Sequence, residues 1–333
     1  MIQGYKTLCS TASRLPPVLS SRFASTLTKT EAKRHRNAIF DTEKSRQTSS
    51  IGRIEKIKVV YDSPENEITL LMNKDLSTPN DCAMHISEGV TKTSALASVN
   101  GLPWDMHRPF VSDCELKLFT MRSPNDRSVN NAFWRTCSLM LGAVVDSAFK
   151  DDIPCHLHSF IGPNIKSGSF IYDVHLQLPD WTPTEAEMRS LSSLFTKLVH
   201  QELPIERLEI SEEMALDMFQ ENPFKSKQIP NIAQNNEGKI VVYRVGDHID
   251  ISKGPMVGNT RLVGRNTITA IHHIQSEAGE PLHRFQGVAL PNGIIVNHFV
   301  YGIMEERARK LNQTFWMPQR LEQEDSVAVA ANN

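Results

Sequence analysis

The order of secondary-structure signals in residues 54–122 constrains the fold of this chain more than any other feature. Two runs rich in β-branched and aliphatic residues, 54–61 and 67–72, flank a short turn that contains Asp, Ser, Pro and Asn. These runs predict two neighbouring strands. A fold that starts with such a pair needs further elements to cover one apolar face of the sheet.

A helix and two more strands follow these runs. Thr78 with Pro79 at the first helical position predicts a helix over 79–88, with Gly89 as its stop. Asn100-Gly101, after the run 94–99, is a hairpin signal, and the alternating run 115–121 predicts a last strand. Two strands, a helix and further short strands in about 70 residues are typical of a β-grasp domain, which we predict over 54–122.

A second α+β domain is predicted over 131–315, after a linker at 122–130. Apolar residues at helical spacing predict a helix over 131–149, and Thr182-Pro183-Thr184-Glu185 predicts a capping box that opens another helix. A further helix is predicted near 296–312, and residues 316–333 are expected to be a flexible tail. Five β-rich runs are predicted as strands: 155–163, 169–178, 239–252, 267–276 and 283–290.

Charge is distributed unevenly along the chain. Residues 1–58 contain twelve Lys and Arg against four acidic residues, a net charge of +8, which leaves −10 for the remainder of a chain whose total is −2. A protein that coats nucleic acid over a wide face usually has a basic stripe, and the sequence after residue 60 shows none. Any RNA contact is therefore expected to be local or to use the basic extension.

The first 30 residues have the composition of a mitochondrial presequence. They are rich in Ser and Thr, contain Lys6, Arg14, Arg22 and Lys29, and have no acidic residue before Glu31. The alternative is a disordered basic tail. The basic extension over 31–53 could lie along a phosphate backbone if it survives processing.

The bulk composition excludes two other classes of protein. No run approaches the roughly 18 consecutive apolar residues that a membrane span needs. The five cysteines are scattered and form no C-x-x-C pair, which indicates a reducing compartment and no disulfide framework.

Four strings resemble the front half of threonyl-tRNA synthetase, in the order of that family. TSALASVNGLPWDM (93–106) resembles its TGS domain, a β-grasp module, and IGPNIKSGSFIYDV (161–174), HIDISKGPMV (248–257) and HRFQGVAL (283–290) resemble its editing domain. The resemblance covers about 54–312 and implies an editing-like second additional domain of α+β class. The chain ends about where the family's catalytic core would begin, so no aminoacylation site is expected.

The resemblance also implies that the editing chemistry is lost. In the family, the editing domain carries an H-x-x-x-H on a helix and a C-x-x-x-H on a strand or loop. Arg135 and Leu139 stand at the two helix positions, and Ser252 and Met256 stand at the other two. Arginine is neither a metal ligand nor a base, and leucine offers no polar atom. Serine and methionine are poor zinc ligands, so we expect no catalytic residue, no metal and no cofactor. Arg135 and Met256 are bulky enough to fill the cleft.

Other polar residues offer weak candidates for a relocated site. Cys155-His156-Leu157-His158 would alternate between two faces of a strand, which leaves a histidine pair at most. The neighbours His272 and His273 would also point to opposite faces. His85 is expected to be solvated, and Cys137 is expected to be a buried inert thiol.

The combination of presequence, TGS-like domain and emptied editing-like domain resembles a family of large-subunit proteins of the mitochondrial ribosome. The resemblance implies a structural role in the matrix, contact with other large-subunit proteins, some rRNA contact and no membrane span. Two alternatives remain: a trans-editing factor that clears mischarged tRNA, and a tRNA-binding protein outside the ribosome.

Overall fold

The computed structural model of the protein describes residues 28–63, 67–122, 127–159, 161–178, 180–276 and 278–314. These described residues form eight α-helices and twelve strands in three sheets. The predicted presequence over 1–30 falls outside them except for its last three residues, and the predicted tail over 316–333 lies wholly outside them.

Residues 56–120 form a five-stranded sheet with two short helices. Its elements in chain order are β1 (Lys56–Asp62), β2 (Glu67–Asn73), α2 (Pro79–Ile86), α3 (Glu88–Thr93), β3 (Ser94–Val99), β4 (Leu102–Trp104) and β5 (Cys114–Thr120). The strand order is β2-β1-β5-β3-β4, with β1 and β5 parallel and the other neighbours antiparallel. A parallel central pair of first and last strands is the arrangement of the β-grasp that the sequence predicts.

The core of the β-grasp lies between this sheet and α2. Cys82 and Ala83 of α2 are fully buried, as are Val59 of β1 and Leu116 of β5. Removing apolar side chains from water is the main stabilising contribution to such a small sheet. The sheet is therefore held on one face by a helix of only eight residues.

The predicted helix stop at Gly89 is wrong. α2 ends at Ile86, and Gly89 lies inside α3. Ser87 separates the two helices, because its backbone is extended and its hydroxyl accepts a hydrogen bond from the Val90 N–H at 3.1 Å. A serine cap that starts a new helix thus ends the first helix before the glycine is reached.

The second part of the fold contains two sheets and five helices. Its elements are α4 (Arg127–Ala148), β6 (Cys155–Ser159), β7 (Phe170–Leu176), α5 (Glu185–His200), β8 (Ile205–Ser211), α6 (Glu212–Met218), α7 (Pro223–Gln234), β9 (Lys239–Val245), β10 (His248–Ile251), β11 (Val263–Gln275), β12 (Pro281–Pro291) and α8 (His298–Arg309). The strand orders are β10-β9-β8 and β11-β12-β7-β6. Every neighbouring pair in these two sheets is antiparallel.

Helix α4 forms the centre of this second part. It starts at Arg127, so the last four residues of the linker predicted at 122–130 are helical. Its residues from Thr136 to Asp146 are all buried. At Gly142, an added Cβ would lie 2.7 Å from a ring carbon of Tyr172, so only glycine lets β7 approach this closely.

Two local predictions in this part also need correction. The single strand predicted over 239–252 is two strands, because Gly246 adopts a positive φ of 61° and reverses the chain. The capping box is formed by Thr184 and Glu187 rather than by residues 182–185, and Thr184 Oγ1 accepts from the Glu187 N–H at 3.3 Å.

The basic extension predicted over 31–53 is mostly a helix, α1 (Lys29–Ser49), packed on the second part of the fold. Its Phe40 is fully buried against the sheet β10-β9-β8 and α6. Lys33 lies 3.5 Å from Asp146 and 3.2 Å from Asp247, and Lys44 pairs with Glu206 at 2.5 Å. The positive charge of this helix is thus largely neutralised within the protein. None of the helices in the described ranges is long and apolar enough to cross a membrane.

Candidate functional site

Helix α4 presents Arg135 and Leu139, two of the four positions that the resemblance singles out. Residues four apart lie on one face of a helix. Leu139 is completely buried and packs in a cluster with Tyr243 and Met256, whereas Arg135 is partly exposed. The face that would carry two histidines in the synthetase family therefore carries a cation and an aliphatic side chain.

The other two positions lie on the segment 252–257 that follows β10. Met256 is 1% exposed and fills the space beside Leu139. Ser252 is buried, and its hydroxyl accepts a hydrogen bond from the Gly254 N–H at 3.4 Å. At Gly254, which has a positive φ of 69°, an added Cβ would lie 1.8 Å from the Tyr243 hydroxyl, so the segment is packed tightly onto β9.

A hydrogen bond ties the two halves of this region together. Arg135 Nη1 donates to the backbone oxygen of Pro255 at 3.0 Å. Burial lowers the pKa of the Arg135 guanidinium, although the nearby Tyr243 and Asp105 act in the opposite direction. The group still has no lone pair to offer as a base or as a metal ligand while it is protonated.

Asp105 of the β-grasp domain is the centre of this region, and sequence reasoning missed it. It is 6% exposed and accepts hydrogen bonds from the Tyr243 hydroxyl at 3.0 and 3.1 Å and from the Met256 N–H at 2.8 Å. Arg207 Nε lies 3.5 Å from its carboxylate. Burial raises the pKa of Asp105, while these donors act to lower it. The one sequence signal that could have indicated this role was the position of an acidic residue between the apolar residues Trp104 and Met106.

The contact between the two domains continues beside Asp105. The Gly258 N–H donates to the Ala95 oxygen at 3.0 Å, and His107 Nε2 lies 2.9 Å from the Gly258 oxygen. An added Cβ at Gly258 would lie 2.8 Å from the Met106 Cβ, so no larger residue fits between the domains. The segment that resembles the editing signature, together with Gly258 after it, therefore contacts the β-grasp domain directly.

No reactive group is placed to do chemistry in this region of the described structure. The Ser252 hydroxyl is bonded to a backbone N–H, not to a base that could take its proton. The Cys137 thiol is completely buried, and burial raises its pKa far above the ordinary range. A thiol that stays protonated is a poor nucleophile, as expected for an inert core cysteine.

The side chains of the cluster at Cys155–His158 contact different neighbours and do not converge on one point. His156 stacks on His175 with ring centroids 6.3 Å apart, and His158 packs on Phe224 at 4.8 Å. Burial, followed by the charge of Lys225, lowers the pKa of His158 to about 4. Among the described residues there is no group of three or more His, Cys, Asp or Glu that could hold a metal ion.

The remaining candidate histidines lie apart from the region around Asp105, and the ring of His273 also packs on that of His283 with centroids 4.5 Å apart. His272 Nε2 lies 3.0 Å from the Arg309 oxygen, and His273 Nε2 lies 3.1 Å from the Trp181 oxygen. His85 is exposed on α2. These positions do not converge on a common cleft.

Comparison with known proteins identifies the relatives of this chain. Residues 71–120 match the TGS domain family. Over 277 residues the chain is 48% identical to the large ribosomal subunit protein mL39 of Drosophila melanogaster, and the match covers 83% of each chain. The chain belongs to the mL39 family.

The chain is also similar to part of the threonine–tRNA ligases. The chain is 29% identical over 219 residues to human cytoplasmic threonine–tRNA ligase 2 and 28% identical over 247 residues to human cytoplasmic threonine–tRNA ligase 1. These matches span 26% and 32% of the two ligases. The predicted α+β fold class, a TGS-like β-grasp followed by a synthetase-like domain, is confirmed.

Proposed function

We propose that this chain is a structural component of the large subunit of the mitochondrial ribosome, located in the matrix, and that it catalyses no reaction. The observation that carries the proposal is the 48% identity to a large-subunit protein along 83% of both chains. Identity at this level over nearly the whole length supports a shared role more strongly than a shared fold alone would.

We propose further that Arg135, Leu139, Ser252 and Met256 replace the four reactive residues of the editing site. The packing supports this assignment, because Leu139 and Met256 fill one buried cluster and Arg135 is bonded to Pro255. Losing one general base would lower a hydrolysis rate about 10²–10⁴-fold. Losing all four groups leaves a scaffold without its reaction.

The proposed protein partners need an exposed surface, and α8 with the turn that precedes it offers one. Ile295, Phe299 and Ile303 are 94%, 77% and 52% exposed, and Phe299 and Ile303 lie one helical turn apart. Exposed apolar patches rimmed by polar residues mark protein-interaction sites. We assign this α8 patch, defined by these three residues, to contact with an apolar surface of a neighbouring large-subunit protein.

Contact with rRNA is proposed to be local. Most cations of helix α1 form ion pairs within the protein, among them Lys33, Arg36, Lys44 and Arg46, which leaves Arg34 and Arg53 as exposed cations of the basic extension. A few phosphate contacts suit a protein whose body carries a net charge of −10.

We also propose that the presequence ends before Thr28 rather than at residue 30. Thr28 caps α1, and its hydroxyl and backbone N–H form a reciprocal capping box with Glu31. Removing Thr28 would leave two backbone donors unpaired at the start of a packed helix, at a cost of about 1 kcal/mol. Sequencing the amino terminus of the protein isolated from mitochondria tests this boundary.

Sedimentation tests the structural role directly. A mitochondrial lysate is fractionated on a gradient at moderate salt, and the protein is followed across the fractions. Co-migration with the large subunit that persists through a high-salt wash is the expected result. Recovery chiefly in the soluble top fractions would contradict it.

The similarity to threonine–tRNA ligases supports a second candidate, a trans-editing or tRNA-binding factor. This candidate requires deacylation of a mischarged tRNA by the purified chain, or specific binding to the tRNA. The filled region around Met256 predicts no deacylation above the uncatalysed rate. Hydrolysis that depends on added metal would reverse this assignment.

A further inference from the structure

A polar cleft lies on the second domain, away from the region around Asp105. It has a volume of about 390 Å³ and is formed by the end of α5, the start of β11 and the turn after β12. Its polar lining residues include Thr196, Glu202, Arg261, Arg265, Asn266 and Asn292. A volume of this size falls in the range of small-molecule binding clefts, roughly 300–1,000 Å³.

The cleft is positively charged within an acidic body. Arg261 and Arg265 face a single lining carboxylate, that of Glu202. A third arginine, Arg122, donates from its Nη2 to the oxygen of Gly293 at 3.3 Å, next in sequence to the lining residue Asn292. Clustered guanidinium groups favour phosphate, because each presents several N–H donors in a fixed plane.

Arg265 is held in place without a carboxylate partner in the described part of the chain. Its guanidinium carbon lies 3.6 Å from the centroid of the Tyr301 ring, and its side chain is exposed. Tyr301 is itself fully buried, and its hydroxyl lies 3.0 Å from Thr267 Oγ1. One face of the guanidinium is therefore covered by a fixed ring, while its other side remains open to a ligand.

Arg261 has a donor directed at no described acceptor. Its Nη2 donates to the Thr91 oxygen at 2.8 Å, which fixes the side chain between the two domains. Its Nε is buried and has no hydrogen-bond partner among the described residues. Because that buried atom is closed to solvent, only the terminal nitrogens of Arg261, which lines the cleft, can donate to an anion there.

We propose that this cleft binds a short segment of RNA, with Arg261 and Arg265 donating to backbone phosphates and a base stacking on the open face of Arg265. The proposal rests on the proposed ribosomal function and names the place of the local rRNA contact. Stacking of bases on arginine planes and donation to phosphate are common modes of single-stranded RNA recognition. The amide of Asn292 adds a polar group at the edge of the cleft.

Binding of two probes by the full chain tests the proposal. The probes are a fluorescein-labelled twelve-nucleotide oligouridylate and a twelve-base-pair RNA duplex, titrated by fluorescence anisotropy between 50 and 200 mM KCl. We expect R265A to weaken oligouridylate binding about tenfold and to reduce the slope of log K against log salt by about 0.7, the value for one phosphate contact on a single strand. R265K should restore the salt dependence of binding but not the full affinity, because lysine keeps the positive charge and lacks the planar guanidinium on which a base can stack.

The matched control is R189A, an exposed arginine at the other end of α5. It removes the same charge and should leave affinity and slope unchanged. Failure of the wild-type chain to bind either probe, or equal effects of R265A and R189A, would overturn the proposal. If the protein sediments with the large subunit but R265A binds RNA like wild type, the RNA site in the cleft is refuted and the ribosomal role is retained. If the protein binds RNA through Arg265 but stays at the top of the gradient, the RNA site is retained and the ribosomal role is refuted.

Discussion

Arg135 Nη1 donates to the carbonyl oxygen of Pro255 across 3.0 Å, which joins helix α4 to the segment that carries Ser252 and Met256. In the synthetase-like reading, these two elements would face each other across a reactive site. Here an arginine closes the gap with a hydrogen bond. Position 135, which we propose to have lost a reactive histidine, thus forms a hydrogen bond that connects two structural elements.

Substitution of Arg135 should therefore affect stability according to what replaces it. R135A removes the bond to Pro255 and is expected to lower the free energy of unfolding by about 1.5–3 kcal/mol, the usual range for a hydrogen bond from a charged group. R135M fills similar space without a partly desolvated charge and should stay within about 1 kcal/mol of wild type. Urea unfolding followed by circular dichroism measures both. An R135A midpoint equal to that of wild type would show that the tie contributes nothing.

Asp105 should couple the two domains. D105A leaves the Tyr243 hydroxyl and the Met256 N–H without their acceptor and is expected to destabilise the protein by about 3 kcal/mol. Y243F removes one donor and should cost about 1 kcal/mol. In the double variant the loss should be smaller than the sum, because the two residues share one bond. Additive losses would mean that the bond is not the source of the effect.

Two histidines, the partly buried His158 and the buried His283, predict a loss of stability in acid. The pKa of His158 is lowered to about 4, first by burial and then by Lys225, and the pKa of His283 is lowered to about 4, first by burial and then by His273. Their unfolded pKa is 6.5, so between pH 6.5 and 4 the unfolded chain binds protons that the folded chain does not. This contribution to stability is present above pH 6.5 and is lost as the pH falls through that window.

We expect the free energy of unfolding to fall by roughly 2–4 kcal/mol between pH 7.5 and pH 5. Urea unfolding at both values measures the change. The double variant His158→Gln with His283→Gln should show a smaller drop. A drop of the same size in the variant would assign the effect to other groups.

Helix α1 should be part of the folded body. Phe40 is completely buried, and F40A should lower the free energy of unfolding by about 3–5 kcal/mol because it opens a cavity in the core. Hydrogen exchange should then rise in α1 and in the adjacent strands β8 to β10. Replacing Ser45, which is exposed on the same helix, by Ala provides the control. An F40A protein with wild-type stability would show that α1 does not pack as described.

The α8 patch should matter for assembly and not for folding. Phe299 and Ile303 are exposed, so the pair F299S and I303S should change stability by less than about 0.5 kcal/mol per site. The same variant should leave the large subunit at a lower salt concentration than wild type does. Arg309→Ser, an exposed change on the same helix, should not. Equal retention of all three proteins would remove the patch from the interface.

Local sequence signals predicted most elements because they act over a few residues. The hairpin at Asn100-Gly101 and the helix start at Thr78-Pro79 are formed as predicted, since turn and cap geometry depend on adjacent residues. Gly89 does not end helix α2, because Ser87 caps α3 two residues earlier in the sequence. Helix boundaries depend on which of several competing local bonds forms.

Long-range contacts could not be predicted in the same way. Asp105 meets Tyr243 across 138 positions, and no local pattern marks a carboxylate as a bridge between domains. The ion pairs of α1 were missed for the same reason, because Arg244 lies 203 positions from its partner Asp41. Charge alone predicted a free basic extension, whereas carboxylates far away in the sequence, among them Asp146 and Glu206, hold it against the body.

The docking of α1 also sets the order in which this chain can be completed. The helix comes early in the sequence, yet the strands that cover Phe40 extend to Ile251. A chain that enters a compartment amino terminus first therefore presents the apolar side of α1 before its native neighbours have arrived. Until then the Phe40 side chain stays exposed, unlike the core of a first helix that packs on adjacent elements.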